Sequence, residues 1–182
     1  GCVRGFPLHS PKGLKTRPTA DRVREAIFNV LCQELYGASI LDIFSGTGAL
    51  SLEALSRGAH NAVLIEKSKE ALQSIQQNIA KTGMQEKCSV HFGDCRKILP
   101  YLKGPFHIVF LDPPYDKGWL AEVAPYLAKE GFLAKDAVLV VETKAKKQEE
   151  LPLNGFVMQK SAVYGDTAVN YYRRMKEDNL DG

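Results

Sequence analysis

Ser39-Ile40-Leu41-Asp42-Ile43-Phe44-Ser45-Gly46-Thr47-Gly48-Ala49-Leu50 opens as an apolar run and breaks on two glycines one residue apart. Residues 39–44 have the length and composition of a strand buried on both faces. Gly46 and Gly48 permit a tight turn and let a ligand approach the backbone closely. Residues 47–57 then place Leu50, Ala54 and Leu55 on one helical face. A buried strand that passes through a glycine turn into a helix begins a parallel α/β unit.

The alternation continues outward from this unit. Strands are predicted over 62–66, 89–92, 107–111 and 137–142, with helices over 68–82, 96–102 and 119–129 between them. Upstream, Val23, Ile27, Val30 and Leu31 recur at helical spacing, with Thr19 as N-cap and Gly37 as a stop. Downstream, 156–164 and 167–173 are β-rich and separated by Gly165-Asp166, a hairpin turn. The expected fold is therefore α/β, with a mostly parallel seven-stranded sheet that ends in an antiparallel hairpin. Residues 1–18 form a basic amino-terminal arm, and residues 19–182 form one domain.

Composition narrows the class. A chain of 182 residues with 45% apolar and 25% charged residues suits one soluble domain with a real core. No apolar stretch reaches membrane-spanning length, and no secretory leader is visible. Cys2, Cys32, Cys88 and Cys95 show neither zinc spacing nor a disulfide pattern. Reduced thiols, no metal and a cytoplasmic monomer are expected, with Cys32 on a helix in the core. Net charge is +3, but residues 1–24 carry six basic side chains against Asp21. That front segment is either a solvated arm or a face for a polyanion.

Three acids end successive strands. Asp42 closes the first, Glu66 the second, and Asp94 follows the third within Gly93-Asp94-Cys95. Glu66 can accept two ribose hydroxyls of an adenosine. Asp94 can accept from an adenine amino group or simply cap a helix. The glycine turn lacks the third glycine of a dinucleotide fingerprint, which disfavours a pyrophosphate. Backbone N–H groups of the turn suit a carboxylate, and Asp42 suits an ammonium. These features fit an adenosine with an amino-acid tail, as in S-adenosylmethionine. The candidate cofactor residues are Thr19, Asp42, Phe44, Ser45, Gly46, Gly48, Glu66, Lys67, Asp94 and Cys95.

Asp112-Pro113-Pro114-Tyr115 follows the fourth strand. Two prolines end the ladder and fix the backbone, which a stiff turn alone would explain. The acid before them and the aromatic after them need another reason. An exocyclic base nitrogen is a poor nucleophile, because its lone pair is delocalised into the ring. The Asp112 carboxylate and the Pro113 carbonyl can accept its hydrogens and favour a pyramidal nitrogen. Pro114 stiffens that backbone, and Tyr115 offers a face on which a flipped base can stack. These four are the candidate catalytic residues.

The DPPY run after DIFSGTGAL resembles the amino-group methyltransferases of nucleic acids, which share the class I methyltransferase fold. More narrowly, Lys12 to Thr19 (KGLKTRPT) and Asp21 to Asn29 (DRVREAIFN), with Leu55 to Ala59 (LSRGA), are similar to the RsmD family. The resemblance spans nearly the whole chain and implies methylation of guanine N2 in bacterial small-subunit ribosomal RNA, on the RNA or on the ribosomal particle. It also implies that Thr19 lies over the methionine end of the cofactor, with Phe28 and Asn29 near the cleft. Lys12, Lys15, Arg17, Arg22 and Arg24 would contact RNA phosphates. Residues 1–6 are abbreviated relative to the family pattern.

Other readings compete with this one. Adenine-N6 methylation of RNA or DNA shares the chemistry, although sequence-specific DNA enzymes usually carry a recognition domain that this chain has no room for. A non-catalytic RNA-binding assembly factor is opposed by the intact Asp112 and Tyr115. A nicotinamide oxidoreductase is opposed by the incomplete glycine fingerprint.

Overall fold

The computed structural model describes residues 18–115 and 117–175, with backbone alone at residues 18 and 19. The basic arm upstream of Pro18, with Lys12, Lys15 and Arg17, lies outside the described residues.

Elements follow the order α1 (Pro18–Val30), β1 (Ser39–Asp42), α2 (Ala49–Ser56), β2 (Asn61–Glu66), α3 (Lys69–Thr82), β3 (Cys88–Phe92), α4 (Cys95–Ile98), β4 (Phe106–Leu111), α5 (Trp119–Leu127), β5 (Leu133–Lys144), β6 (Phe156–Tyr164) and β7 (Thr167–Arg174). They build one seven-stranded sheet in the order β3-β2-β1-β4-β5-β7-β6. The first five strands pair in parallel, and β7 is antiparallel to both β5 and β6. The expected α/β fold, strand count and terminal hairpin are all present. Gly165 takes φ 58° in the two-residue turn that pairs Tyr164 with Thr167.

Two apolar layers cover the sheet. On one face Ile27, Phe28 and Leu31 of the α1 segment pack with Leu52, Ile75, Phe110 and Val140. On the other, Leu41, Val109 and Leu139 meet Trp119, Leu120, Val123 and Leu127 of α5. Parallel strands buried on both faces need this continuous apolar character.

Several expected boundaries shift for local reasons. α1 begins at Pro18, so Thr19 is inside the helix, and it ends at Val30 well before Gly37. Tight turns follow, which keep both Leu31 and Leu35 in the core while leaving Cys32 exposed rather than buried. α2 starts at Ala49 rather than Thr47, because Gly46 and Gly48 hold φ of 56° and 77°. The single helix expected over 96–102 is a short α4 followed by a 3-10 turn, since Pro100 cannot extend an α ladder. β5 is longer than expected at both ends, because Leu133 pairs with Phe106 of β4 at one end and pairing with β7 carries the ladder to Lys144 at the other.

Strand order reverses at β1, whose neighbours are β2 on one side and β4 on the other. In open α/β sheets the crevice at such a switch point, beyond the carboxyl ends of the strands, is where ligands bind.

Candidate active site

The glycine turn after β1 is held from several directions. Ser45 Oγ donates to the carbonyls of Asp42 (2.9 Å) and Ile65 (3.1 Å). Asn78 Nδ2 of α3 donates to the Thr47 carbonyl at 3.0 Å. The two glycines have different reasons to be glycine. A Cβ on Gly48 would stand 3.2 Å from Leu64 Cδ2, so this residue lets α2 close onto the core. A Cβ on Gly46 would meet nothing within 4 Å, because Gly46 borders open space.

That space is a cleft of about 530 Å³, a size suited to a cofactor. Of the expected cofactor residues, Phe44, Gly46, Glu66, Lys67 and Cys95 line it. Asp112, Pro113, Pro114 and Tyr115 line it as well, so both sets of residues meet in one cavity. Ser45, Gly48, Asp42 and Asp94 are not in its lining. Ser45 braces the turn and Gly48 packs beneath it. The side chain of Thr19 lies outside the described residues. Phe28 is fully buried, with its ring edge toward Phe110 at 6.1 Å, so it belongs to the core rather than the cleft. Asn29 is exposed.

Glu66 is committed before any ligand arrives. Its Oε2 accepts Gly46 N–H at 2.8 Å, and Oε1 accepts Lys67 N–H at 2.9 Å and Ser68 N–H at 2.8 Å. One carboxylate thus ties the end of β2 to the glycine turn and to the start of α3. Asp94 caps α4 through Arg96 N–H at 2.9 Å and also binds the Arg96 guanidinium at 3.0 and 2.7 Å. The Arg96 hydrogen bond pulls its pKa down to about 2. The capping alternative for Asp94 is therefore seen directly, with both oxygens engaged by Arg96.

Trp119 was read from the sequence only as a helix start. It lines the cleft at 8% exposure, touches the Phe44 ring at 5.6 Å, and lies under Lys67 Nζ and the Arg96 guanidinium at 5.0 and 4.8 Å. Its indole Nε1 is buried with no partner among the described residues. A lone tryptophan just after DPPY was the only signal available.

The acids of the inner strands form a row. Asp42 is 2% exposed and accepts Ser51 Oγ at 2.9 Å. Burial, opposed by that hydrogen bond and reinforced by Asp112 and Glu66, raises its pKa to about 7. Asp112 opens onto the cleft yet is ringed by protein, and desolvation raises it to about 6. Glu142, at the end of β5, is raised to about 8 by burial and by Asp112 and Asp42. Sequence reasoning missed Glu142, since neither a glycine turn nor a proline run follows it to mark it as Asp42 and Asp112 are marked. Tyr115 is 42% exposed, with Lys144 Nζ 4.9 Å from its ring centroid.

The Asp42 shift has a checkable sign. The folded state binds its proton more tightly than the unfolded chain, so its contribution to stability is full below about pH 4 and is lost as pH rises through about 7. Asp42→Asn is expected to raise stability above pH 7 by a few kcal/mol at most, and to lower affinity for a cationic ligand. Thermal melts across pH, with calorimetry on the same samples, check both.

Arg22 is exposed on α1, while Arg24 is held by Asp21 at 3.1 Å. Two residues apart on a helix, they point about 200° from one another, so they do not form one patch. Among the described residues no His, Cys and acid cluster could hold a metal, and no helix is long and apolar enough to cross a membrane.

The family model described as conserved hypothetical protein 95 matches residues 1–173. The chain is 35% identical over 181 residues to ribosomal RNA small subunit methyltransferase D of Escherichia coli, covering all of this chain and 91% of that one. It superposes on the solved structure of the Escherichia coli protein yhhF with TM-score 0.84 at 37% identity, over 96% and 94% of the two chains. An RNA methyltransferase from Salinibacter ruber, solved with S-adenosyl-L-homocysteine, shares the fold at TM-score 0.65 and 14% identity, over 93% and 100%.

Proposed function

Because this chain belongs to the conserved hypothetical protein 95 family, which holds its resemblance to the RsmD enzymes, we propose that it is an S-adenosylmethionine-dependent ribosomal RNA methyltransferase acting on guanine N2. The observation that carries the reading is the single cleft shared by the glycine turn and Asp112-Pro113-Pro114-Tyr115. Its chemistry fits the cofactor. Phe44, Ile65 and Trp119 give apolar walls for an adenosine, and Glu66 gives the acid beside it. The open space at Gly46 admits the amino-acid tail, and an ammonium there would favour the ionised form of the buried Asp42. When bound, the cofactor supplies a methyl group already activated on a sulfonium.

The protein's own task is then to orient one base. Asp112 and the Pro113 carbonyl accept the amino hydrogens, and the proton that leaves the nitrogen has Asp112 as its first acceptor. The paired prolines hold both acceptors in place, so little reorganisation accompanies reaction. Tyr115 stacks the base. Glu66 keeps Oε2 within reach of a ribose hydroxyl while it holds the turn. Asp94 retains at most a share of its acceptor capacity for adenine, given its bonds to Arg96.

Labelled methyl transfer to free ribosomal RNA and to small-subunit particles from a strain lacking the enzyme tests the reading. The expected product by nucleoside mass spectrometry is N2-methylguanosine. Methyl on adenosine, or on DNA, would overturn it. Substrate binding is expected to lean on the front segment. Replacing Lys12, Lys15 and Arg17 by Gln should weaken RNA affinity at least tenfold at low salt and flatten the log–log salt slope by about two. An unchanged slope would remove the arm from the interface.

A further inference from the structure

Glu142 of β5 has no part in the catalytic steps proposed above. Parallel pairing sets Leu111 beside Val141, so Asp112 and Glu142 are the next residues on adjacent strand ends. They also share a face. Phe110 and Val140 both lie in the α1-side core, and alternation returns Asp112 and Glu142 to that side two residues later. Adjacent strands are about 4.8 Å apart, a spacing comparable to the width of a base edge. Pro113, Pro114 and Tyr115 border the cofactor cleft and also a smaller depression next to it, which Glu142 lines. Glu142 is half-buried, and no hydrogen bond or ion pair engages it among the described residues.

A base whose amino group sits at Asp112 must present its next edge atoms to whatever stands beside Asp112. We propose that Glu142 is the base-selecting residue, its carboxyl meeting the N1–H and O6 of guanine while Asp112 and Pro113 hold N2. This deepens the guanine reading above and rests on it. A carboxylic acid is complementary to a lactam: its carbonyl accepts N1–H and its O–H donates to O6. Adenine placed by its amino group offers N1, an acceptor, followed by a C–H. Cytosine offers two acceptors in a row. Only guanine completes both bonds, and each unmatched polar contact costs discrimination.

The surroundings favour the protonated form that this pairing needs. The groups facing Glu142 are Asp112 after β4, Asp42 from β1, and the phenols of Tyr115 and of Tyr171 on β7, with Lys144, Lys147 and Glu149 lining the same depression. Burial first, and then the carboxylates of Asp112 and Asp42, disfavour a negative charge on Glu142, which holds its proton to about pH 8. Asp112, with the lower value, is the member of the pair that ionises first.

The test compares wild type, Glu142→Gln and Glu142→Ala on small-subunit particles, reading kcat and KM across pH, the methylated nucleoside, and cofactor affinity by calorimetry. Gln retains one acceptor and one donor without a titrating proton. It is expected to stay within fivefold of wild type at pH 7 and not to lose activity above pH 8, where wild type declines. Glu142→Ala is expected to lose about fiftyfold in kcat/KM with cofactor affinity unchanged. Full activity in the Ala variant overturns the proposal, and so does a Gln variant as inactive as Ala, which would require a carboxylate instead. Wild type that methylates another base refutes the guanine reading before any variant is compared.

Discussion

Asp112→Ala is expected to lower methyl transfer about a thousandfold, with cofactor affinity within about threefold of wild type. The separation follows from position. Asp112 follows β4 and makes none of the hydrogen bonds that hold Glu66 and the glycine turn, so its loss is expected to leave the cofactor side intact. In the proposed mechanism the variant removes one of two preorganised acceptors for the amino hydrogens, and the Pro113 carbonyl alone would not hold both. Single-turnover rates with calorimetry on the same preparation measure the split. Wild-type rate should rise with pH through about 6, because a proton on Asp112 occupies the oxygen that must accept. Wild-type rate in the Ala variant would remove Asp112 from the mechanism.

Glu66→Ala is expected to weaken cofactor binding at least a hundredfold and to cost about 2 kcal/mol of stability. The size of the effect comes from its triple use. Three backbone N–H groups, of Gly46, Lys67 and Ser68, lose their acceptor together. The glycine turn loses its tie to β2 at the same moment as the ribose loses its carboxylate. Glu66→Gln separates the two roles: it retains one acceptor oxygen, so it should recover most of the stability and less of the affinity. Calorimetry and thermal melts on both variants check this. Unchanged cofactor affinity in the Ala variant would remove the ribose role.

The strand–turn–helix reading of residues 39–57 was enough to recover the sheet, because buried parallel strands must be apolar throughout and their helices must be amphipathic. The hairpin was legible from Gly165-Asp166. The insertion of β7 between β5 and β6 was not, since pairing order is decided by contacts far apart in the chain. In the site, Phe44, Gly46, Glu66, Lys67, Cys95 and the DPPY residues were legible because each ends a strand or follows one. Ser45 and Asp94 were expected at the cofactor and are not in the cleft lining, and how their polar groups are used could not be read. The Ser45 hydroxyl closes on two backbone carbonyls, and Asp94 is matched by an Arg two residues on. Glu142 escaped notice because its meaning depends on lying beside Asp112, a fact of register and not of local sequence.

The row formed by Glu66, Asp42, Asp112 and Glu142 follows the strand order β2-β1-β4-β5 along the rim of the sheet. Under the proposed function the negative charge of this rim is graded, because Asp112 ionises before Asp42 and Glu142 keeps its proton to about pH 8. That charge would draw a sulfonium cofactor toward the rim and disfavour a nucleic-acid backbone there. The neutral part of a nucleotide is the part that can approach, so repulsion of the phosphates itself favours swinging the base out of its stack. Under the proposed function the affinity for RNA would then come from elsewhere on the protein, and the cationic front segment of the sequence is the part suited to supply it.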